Sequence, residues 1–508
     1  VDMTLGTGWP FGGPNVTIDQ AAGKLGYVQQ NVVGDGVTEQ TININYDVPF
    51  AKLNKVMAYP VDGNGGIVTE LTPLVSGKTV KWNAPEGKWL ILAIYNDHTL
   101  QMVKRAAPGG EGYVLDHFDA DAVKAYLQQF EDAFNATGVP YPHCFFNDSY
   151  EVYNADWTPR MFEEFEKYRG YKLEEHMHEL LGLATDENCQ VLADYRATIN
   201  DMLINNFTKQ WTEWAHRHGT LTRNQAHGSP ANLIDVYATV DIPEIEGFGL
   251  SEFGIKGLRT DKGFTRSNYS DDATLKYASS AAHITGKKLT SSETFTWLTE
   301  HFRTSLSQMK PDLDLMFLSG VNHVLFHGST YSPKDAAWPG WKFYAAVDMS
   351  PTNSFWKDAP ELMNYIERCQ SFLQMGNPDN DFLIYAPFVN AWHKDKRKGA
   401  LFADKLLTFP IDNLSSKMPE VKNAAQQVMN AGYDCDFISD KFILSSRVEN
   451  GMIVTEGGAK YRGLIVPMST NMLIPTDVKN RLDEMVAEGA KVVYQTDAET
   501  LDGMGAAV

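Results

Sequence analysis

The stretch ATLKYASSAAHITGKKLTSSE, residues 273–293, holds one complete unit of the fold. Ala273–Thr285 repeats apolar side chains at helical spacing. Gly286 then stops the helix, and Leu289–Glu293 reads as a short strand ending in polar residues. The same alternation runs outward in both directions. Short apolar or β-branched runs stand at Met3–Trp9, Trp89–Tyr95, His143–Asn147, Leu221–Gln225, Val240–Glu246, Leu289–Glu293, His323–His327 and Phe343–Val347. Amphipathic helical segments separate most of them, at 120–134, 159–168, 173–183, 192–217, 273–285, 297–309 and 359–375. Strands that alternate with helices belong to a buried parallel sheet. Eight such units predict a (β/α)8 TIM-like barrel over residues 1–375.

Two regions break the pattern. Residues 15–88 hold alternating runs such as Thr41–Tyr46 and Thr79–Trp82, with turn signals at Gly63-Asn64-Gly65-Gly66 and Pro85-Glu86-Gly87. They predict a β-rich insertion in a barrel loop. Gly376-Asn377-Pro378 marks a boundary. Beyond it, strands at Phe382–Tyr385, Cys435–Ile438, Gly463–Pro467 and Lys491–Tyr494, with helices at 421–430 and 476–488, predict a smaller doubly wound α/β domain over 376–508.

Composition narrows the function. Lys and Arg number 44 against 64 Asp and Glu, a net charge of −20 over 508 residues. That argues against nucleic acid as a partner, since a phosphate-tracking groove needs clustered cations. Nowhere does an apolar run reach the roughly 18 residues of a membrane-spanning helix, so no membrane partner is expected. No signal peptide is visible, and the chain reads as the middle of a longer protein. Four scattered cysteines without a CxxC exclude a zinc cluster, and no HExxH occurs.

In a barrel the chemistry sits where the strands end. The first run ends in GTGWPFGG, residues 6–13, which lacks the lysine of a phosphate loop and reads either as a tight turn presenting Trp9 to a ligand or as a plain structural turn. The third ends in Asn147-Asp148-Ser149-Tyr150-Glu151. Acidic groups directly after an apolar strand must be solvated, paired or metal-bound. Asp148 or Ser149 as a helix cap, a catalytic carboxylate and a calcium ligand are the readings open there. The fourth places Arg223, Asn224, Gln225 and His227 together, a set suited to vicinal hydroxyls. On the fifth, Glu244 and Glu246 are two apart and share a strand face. They repel unless a cation or proton lies between them, and oxygen ligands favour calcium over zinc. On the sixth, Glu293 lies among Ser and Thr hydroxyls with Trp297 close behind, and is the strongest catalytic candidate. His327, after the seventh, lies near the rim.

Strands three and six of eight lie nearly opposite across a barrel. Glu151 and Glu293 are thus expected to flank a ligand on the axis, as two carboxylates flank a glycosidic bond in hydrolysis.

Read together, GTGWPFGGP at 6–14, PGGEGYVLDHFDADAV at 108–123, FFNDSYE at 145–151, RNQAHGSPANLIDVYATVDIPEIEGFG at 223–249, SSETFTW at 291–297 and FHGSTYSP at 326–333 resemble glycoside hydrolase family 106, the α-L-rhamnosidases. The resemblance implies an inverting, calcium-assisted enzyme that removes terminal α-L-rhamnose from plant-type oligosaccharides or polysaccharides, in the periplasm or outside the cell. It implies Glu151 as general acid and Glu293 as general base, labels that can be exchanged, and Asp148, Glu244 or Glu246 as calcium ligands. Trp9 or Trp297 would face the sugar's methyl group. The second domain resembles the amidotransferase-like domain that follows some β-galactosidase barrels, without a Cys/His pair for that chemistry.

Three rivals remain. A retaining β-galactosidase-like barrel carries Asn-Glu after its fourth strand, where this chain has Asn224-Gln225. An inactive carbohydrate-binding barrel has no use for both Glu151 and Glu293. A flavin- or nucleotide-binding second domain needs a glycine loop after its first strand, where Ala386-Pro387-Phe388 stands instead.

Overall fold

The computed structural model describes the chain except residues 62–65, 184–188, 267–271, 395–417, 470–471 and 496–508. Most of the turn signal at 63–66 thus lies outside the described residues. Two compact units emerge: Val1–His143 with Glu151–Thr220 and Trp392–Asp404, and Cys144–Tyr150 with Leu221–Ala391 and Lys405–Val508.

The first unit is built on antiparallel sheet. Gly23–Gly34 pairs along its whole length with Gly87–His98, which also pairs with Lys52–Val61. Glu39–Asn43 pairs with Thr79–Asn83. Ile42, Ile44 and Val80 share one core with Val32, Val56, Trp89, Ile91 and Ala93. The β-rich region is therefore present, but it reaches His98 and takes in Trp89–Tyr95. That run is no barrel strand. Trp89, Ile91, Ala93 and Tyr95 face the shared core, while Leu90, Leu92 and Ile94 are also buried. A central antiparallel strand covered on both faces shows no alternation, so it mimics the signature of a buried parallel strand. Helices follow at Ala120–Thr137, Met161–Arg169, Cys189–Met202 and Gln210–Arg217. Asp119 caps the first, accepting from the amides of Asp121 and Ala122.

The second unit is parallel. Strands β1 (Cys144–Asn147), β2 (Leu221–Gln225), β3 (Ile242–Phe248), β4 (Ser291–Thr296) and β5 (His323–Phe326) pair side by side in sequence order. Among the described residues this is a parallel half-barrel sheet rather than a closed ring of eight. Phe343–Val347 is not a strand. Ala345–Val347 is buried, and Val347, with Met349 beyond it, packs with Phe295 and Trp297, while Phe343 is half-buried and Tyr344 exposed. Helices at Leu233–Thr239, Asp272–Thr285, Leu306–Leu318 and Ala359–Leu373 connect or follow the strands. The first was not legible from periodicity, being only seven residues long. The third starts nine residues later than expected, because Trp297 and its neighbours form a loop into the core.

In the same unit, β6 (Phe382–Tyr385), β7 (Cys435–Ile438), β8 (Gly463–Pro467) and β9 (Val492–Gln495) form a second parallel sheet in the order β7-β6-β8-β9. Helix Asp272–Thr285 ties it to the half-barrel. Buried Asp436 on β7 meets His283 at 3.0 Å and Tyr461 at 2.8 Å. Burial pushes the Asp436 carboxyl up, but His283 and Lys276 outweigh it and hold it down at about 2.

Candidate active site

The half-barrel strands end in one buried polar network. Arg223 and Gln225, two apart on β2, project to the same face, as do Glu244 and Glu246 on β3. The carboxylate of Glu244 is fully buried and accepts from Arg223 Nη1, from Gln225 Nε2 at 3.1 Å and from Ser291 Oγ at 2.7 Å. The Arg223 guanidinium also lies over the Phe146 ring, 4.0 Å from its centroid. Glu246 meets His227 Nε2 at 2.9 Å. The repulsion expected between two neighbouring carboxylates is thus answered by the protein itself: a guanidinium on one and an imidazole on the other.

Glu293 on β4 grows out of this network. Its Oε2 accepts from Gln225 Nε2 at 2.6 Å and its Oε1 from Thr296 Oγ1 at 2.8 Å. One amide nitrogen of Gln225 therefore bridges Glu244 and Glu293. His327 Nε2 lies 3.8 Å from Glu293 Oε1. The His327 Nδ1 contacts the carbonyl of Ala345, which leaves Nε2 as the nitrogen without a proton in the neutral ring. Unlike Glu244, Glu293 retains some solvent contact, with 15% of its side chain exposed. It is a carboxylate fixed on both oxygens yet reachable, in the middle of β4.

In the first unit, Glu151 has its own cluster. Its Oε1 accepts from Trp9 Nε1 at 3.2 Å, and its Oε2 from Tyr153 Oη at 2.6 Å and from Lys104 Nζ. Gln101 holds the backbone on either side, donating to the Glu151 carbonyl and accepting from the Tyr153 amide. The GTGWPFGG segment supplies the Trp9 contact. Its Gly8 lies so close to the Lys104 carbonyl that a Cβ would sit 2.1 Å from that oxygen. Burial pushes the Glu151 carboxyl up, but the bonds and charge of Lys104, with Tyr153 and Trp9, outweigh it and hold the group below its ordinary range.

The sequence profile of an α-L-rhamnosidase family, glycoside hydrolase family 106, matches residues 67–500. The chain belongs to glycoside hydrolase family 106. The rhamnosidase from Novosphingobium sp. PP1Y has a similar fold, with a TM-score of 0.73 at 17% identity over 99% of this chain and 63% of that one. A GH42 β-galactosidase from G. stearothermophilus aligns at a TM-score of 0.50 and 11% identity, over 76% of this chain and 56% of that one. A curated protein of Formosa agariphila named "Putative beta-glucuronidase" is 26% identical over 82% of this chain and 32% of its own length. The chain thus spans about a third of that relative and under two thirds of the solved rhamnosidase.

For this family 106 chain, several expected ligand contacts take another role. Trp297 is 1% exposed and packs with Phe295, Met309 and Leu313, so it offers no face to a sugar. Arg223, Asn224, Gln225 and His227 are all buried. They hold carboxylates or each other's strands, as when Asn147 Nδ2 donates to Asn224 Oδ1 at 2.6 Å. Glu244 does not fit a calcium site, because its oxygens already face a guanidinium, an amide and a hydroxyl. Glu246 faces His227. Asp148 is half-buried and caps the Ser149 amide rather than a helix, since the next helix starts at Met161. Among the described residues, no three His, Cys, Asp or Glu side chains gather as a metal site. Sequence reasoning missed Lys104, Gln101 and Tyr153. They lie in loops without periodicity, and only contact with Glu151 gives them meaning.

Proposed function

We propose that this chain is the catalytic part of an inverting exo-α-L-rhamnosidase that removes terminal α-L-rhamnose from plant-type glycans. The observation that carries the reading is Glu293: a reachable carboxylate on a parallel strand, clamped by Gln225 and Thr296, in a family 106 chain. Glu293 takes a proton from water as the water oxygen attacks the anomeric carbon. Glu151 protonates the glycosidic oxygen as the C–O bond breaks. Glu151 rests ionised beside Lys104, so this contact must yield when substrate enters, and a bulk proton then loads the carboxyl. The calcium implied by the family would engage sugar hydroxyls and Asp148 rather than Glu244. A substrate outside the cell or in the periplasm matches such a glycan.

The glucuronidase name of the Formosa agariphila relative suggests a uronide as a second reading. A uronide brings a carboxylate that needs a cation to receive it. Arg223, beside Glu293's own support, is committed to buried Glu244, whereas rhamnose carries no charge. The neutral sugar is therefore favoured. Proton NMR of an aryl α-L-rhamnoside during hydrolysis tests sugar and stereochemistry together. The β-anomer is the expected first product. The α-anomer refutes inversion, and turnover of an aryl β-glucuronide alone refutes the sugar.

A further inference from the structure

The loop after β5 exposes Tyr331, Trp338, Trp341 and Tyr344 to 90%, 79%, 62% and 48% of their surface. Every large apolar side chain it exposes is aromatic; Val347 and Met349 are buried. Clustered exposed apolar side chains mark a binding surface. Such flat faces without aliphatic neighbours suit the C–H faces of sugar rings better than they suit a lipid or a protein core.

The loop is held in place by its backbone. Met349 N donates to the Gly328 carbonyl at 3.0 Å and closes its base. Trp341 N donates to Ser332 Oγ at 2.8 Å, and Thr352 Oγ1 to the Pro339 carbonyl at 3.1 Å. Asp348 clasps the neighbouring loop after β4, meeting His301 Nδ1 at 3.1 Å and the Phe302 amide at 3.0 Å. That clasp brings the Phe302 ring to 6.4 Å from Trp338, nearly parallel at 21°. The near end of the loop joins the active site. Phe343 packs edge-on against His327, ring centroids 5.1 Å apart, and His327 lies 3.8 Å from Glu293.

We propose that this loop, with Phe302, is a stacking shelf for the sugars beyond the scissile bond, so that the protein uncaps extended glycans in preference to small glycosides. The proposal rests on the rhamnosidase reading and adds the class of aglycone. Rings held outward before binding lose little freedom when a sugar arrives, which is what a selective subsite needs.

The test compares an α-L-rhamnose-capped oligosaccharide with an aryl α-L-rhamnoside, in the unsubstituted protein and in Trp338→Ala, Trp341→Ala and Tyr331→Ala. The ratio of kcat/KM for oligosaccharide over aryl glycoside is expected to fall about tenfold for each tryptophan, mainly through KM. A ratio steady within about twofold in all three variants overturns the proposal. Tyr331, the most exposed, keeps the test open should a tryptophan variant misfold. Affinity electrophoresis in a gel holding rhamnose-capped polysaccharide reads the shelf without turnover. Retardation of the unsubstituted protein that both tryptophan variants lose supports it. Unretarded migration of the unsubstituted protein refutes the shelf, whereas failure to cleave either rhamnoside refutes the rhamnosidase reading instead.

Discussion

Arg223→Met tests whether the polar network under Glu293 is scaffold or ligand site. Glu244 is fully buried and has three donors, of which Arg223 alone carries charge. The substitution removes that cation and its stacking on Phe146 while nearly preserving volume. Breaking one side of a buried ion pair costs about 3–5 kcal/mol, because an uncompensated charge stays behind. That is a loss of roughly two to four orders of magnitude in the folding equilibrium of the second unit. Glu244→Gln should cost a similar amount by stranding the guanidinium. The pair replaced together, Arg223→Met with Glu244→Gln, should recover much of the loss, since neither charge then remains buried. Urea unfolding followed by near-ultraviolet circular dichroism gives the four stabilities of the cycle. A single substitution costing less than about 1 kcal/mol, or a double variant whose loss is the sum of the two, would show that the charges do not depend on each other. The carboxylate would then be available to a metal, and the scaffold reading would fail.

Other perturbations follow from the same contacts. Glu293→Gln is expected to lower kcat on an aryl α-L-rhamnoside by at least about a hundredfold, the usual worth of a general base, with an unchanged melting curve; undiminished turnover removes Glu293 from the mechanism. Lys104→Met leaves Glu151 buried without its cation, so its pKa rises and the alkaline limb of the pH–rate profile, where the general acid loses its proton, moves to higher pH; an unmoved limb separates Glu151 from catalysis. Glu151's depressed folded pKa gives stability that is present above its unfolded pKa and lost as pH falls through the folded value, and Lys104→Met weakens that loss. Asp312 behaves in the opposite sense: burial pushes its carboxyl up to about 8, against bonds from Ser251 and Trp297. The folded protein holds that proton while the unfolded chain releases it, so stability falls as pH climbs from about 4 to about 8. Asp312→Asn should be less stable or equal at pH 4 and more stable at pH 9 by thermal melting; parallel pH dependences refute the buried proton. EDTA is expected to suppress rhamnosidase turnover and calcium to restore it; indifference to EDTA removes the metal.

Short runs bounded by turns are legible in the sequence; what covers a buried run is not. The second parallel sheet was readable almost residue by residue, because Cys435–Ile438 and Gly463–Pro467 are short apolar runs bounded by turns. Leu221–Gln225 was equally plain. Trp89–Tyr95 misled because core lies on both sides of it, and one-dimensional periodicity cannot say whether that cover is helix or a second sheet. Phe343–Val347 misled because burial alone does not make a strand; its amides and carbonyls serve a loop. Glu151 and Glu293 stand out in the sequence as candidates because a carboxylate after an apolar run needs a reason. Their partners do not. Lys104 lies 47 residues from Glu151, and Gln225 lies 68 from Glu293.

The same logic explains why residues that looked like sugar contacts turned out to be buried supports. A catalytic carboxylate must hold one orientation without being neutralised. A direct cation would fix Glu293 but also tie up its charge. Gln225 offers a neutral donor instead, and its position is fixed by Glu244, which Arg223 holds in turn. The charge of the guanidinium is spent two contacts away from Glu293, so orientation passes along the chain while most of the field does not. The strand register makes this arrangement natural: Gln225 stands beside Glu244, and Glu244 beside Ser291, two residues before Glu293 on its own strand. A polar cluster that sequence alone assigns to sugar hydroxyls is, on this geometry, what keeps one carboxylate aimed.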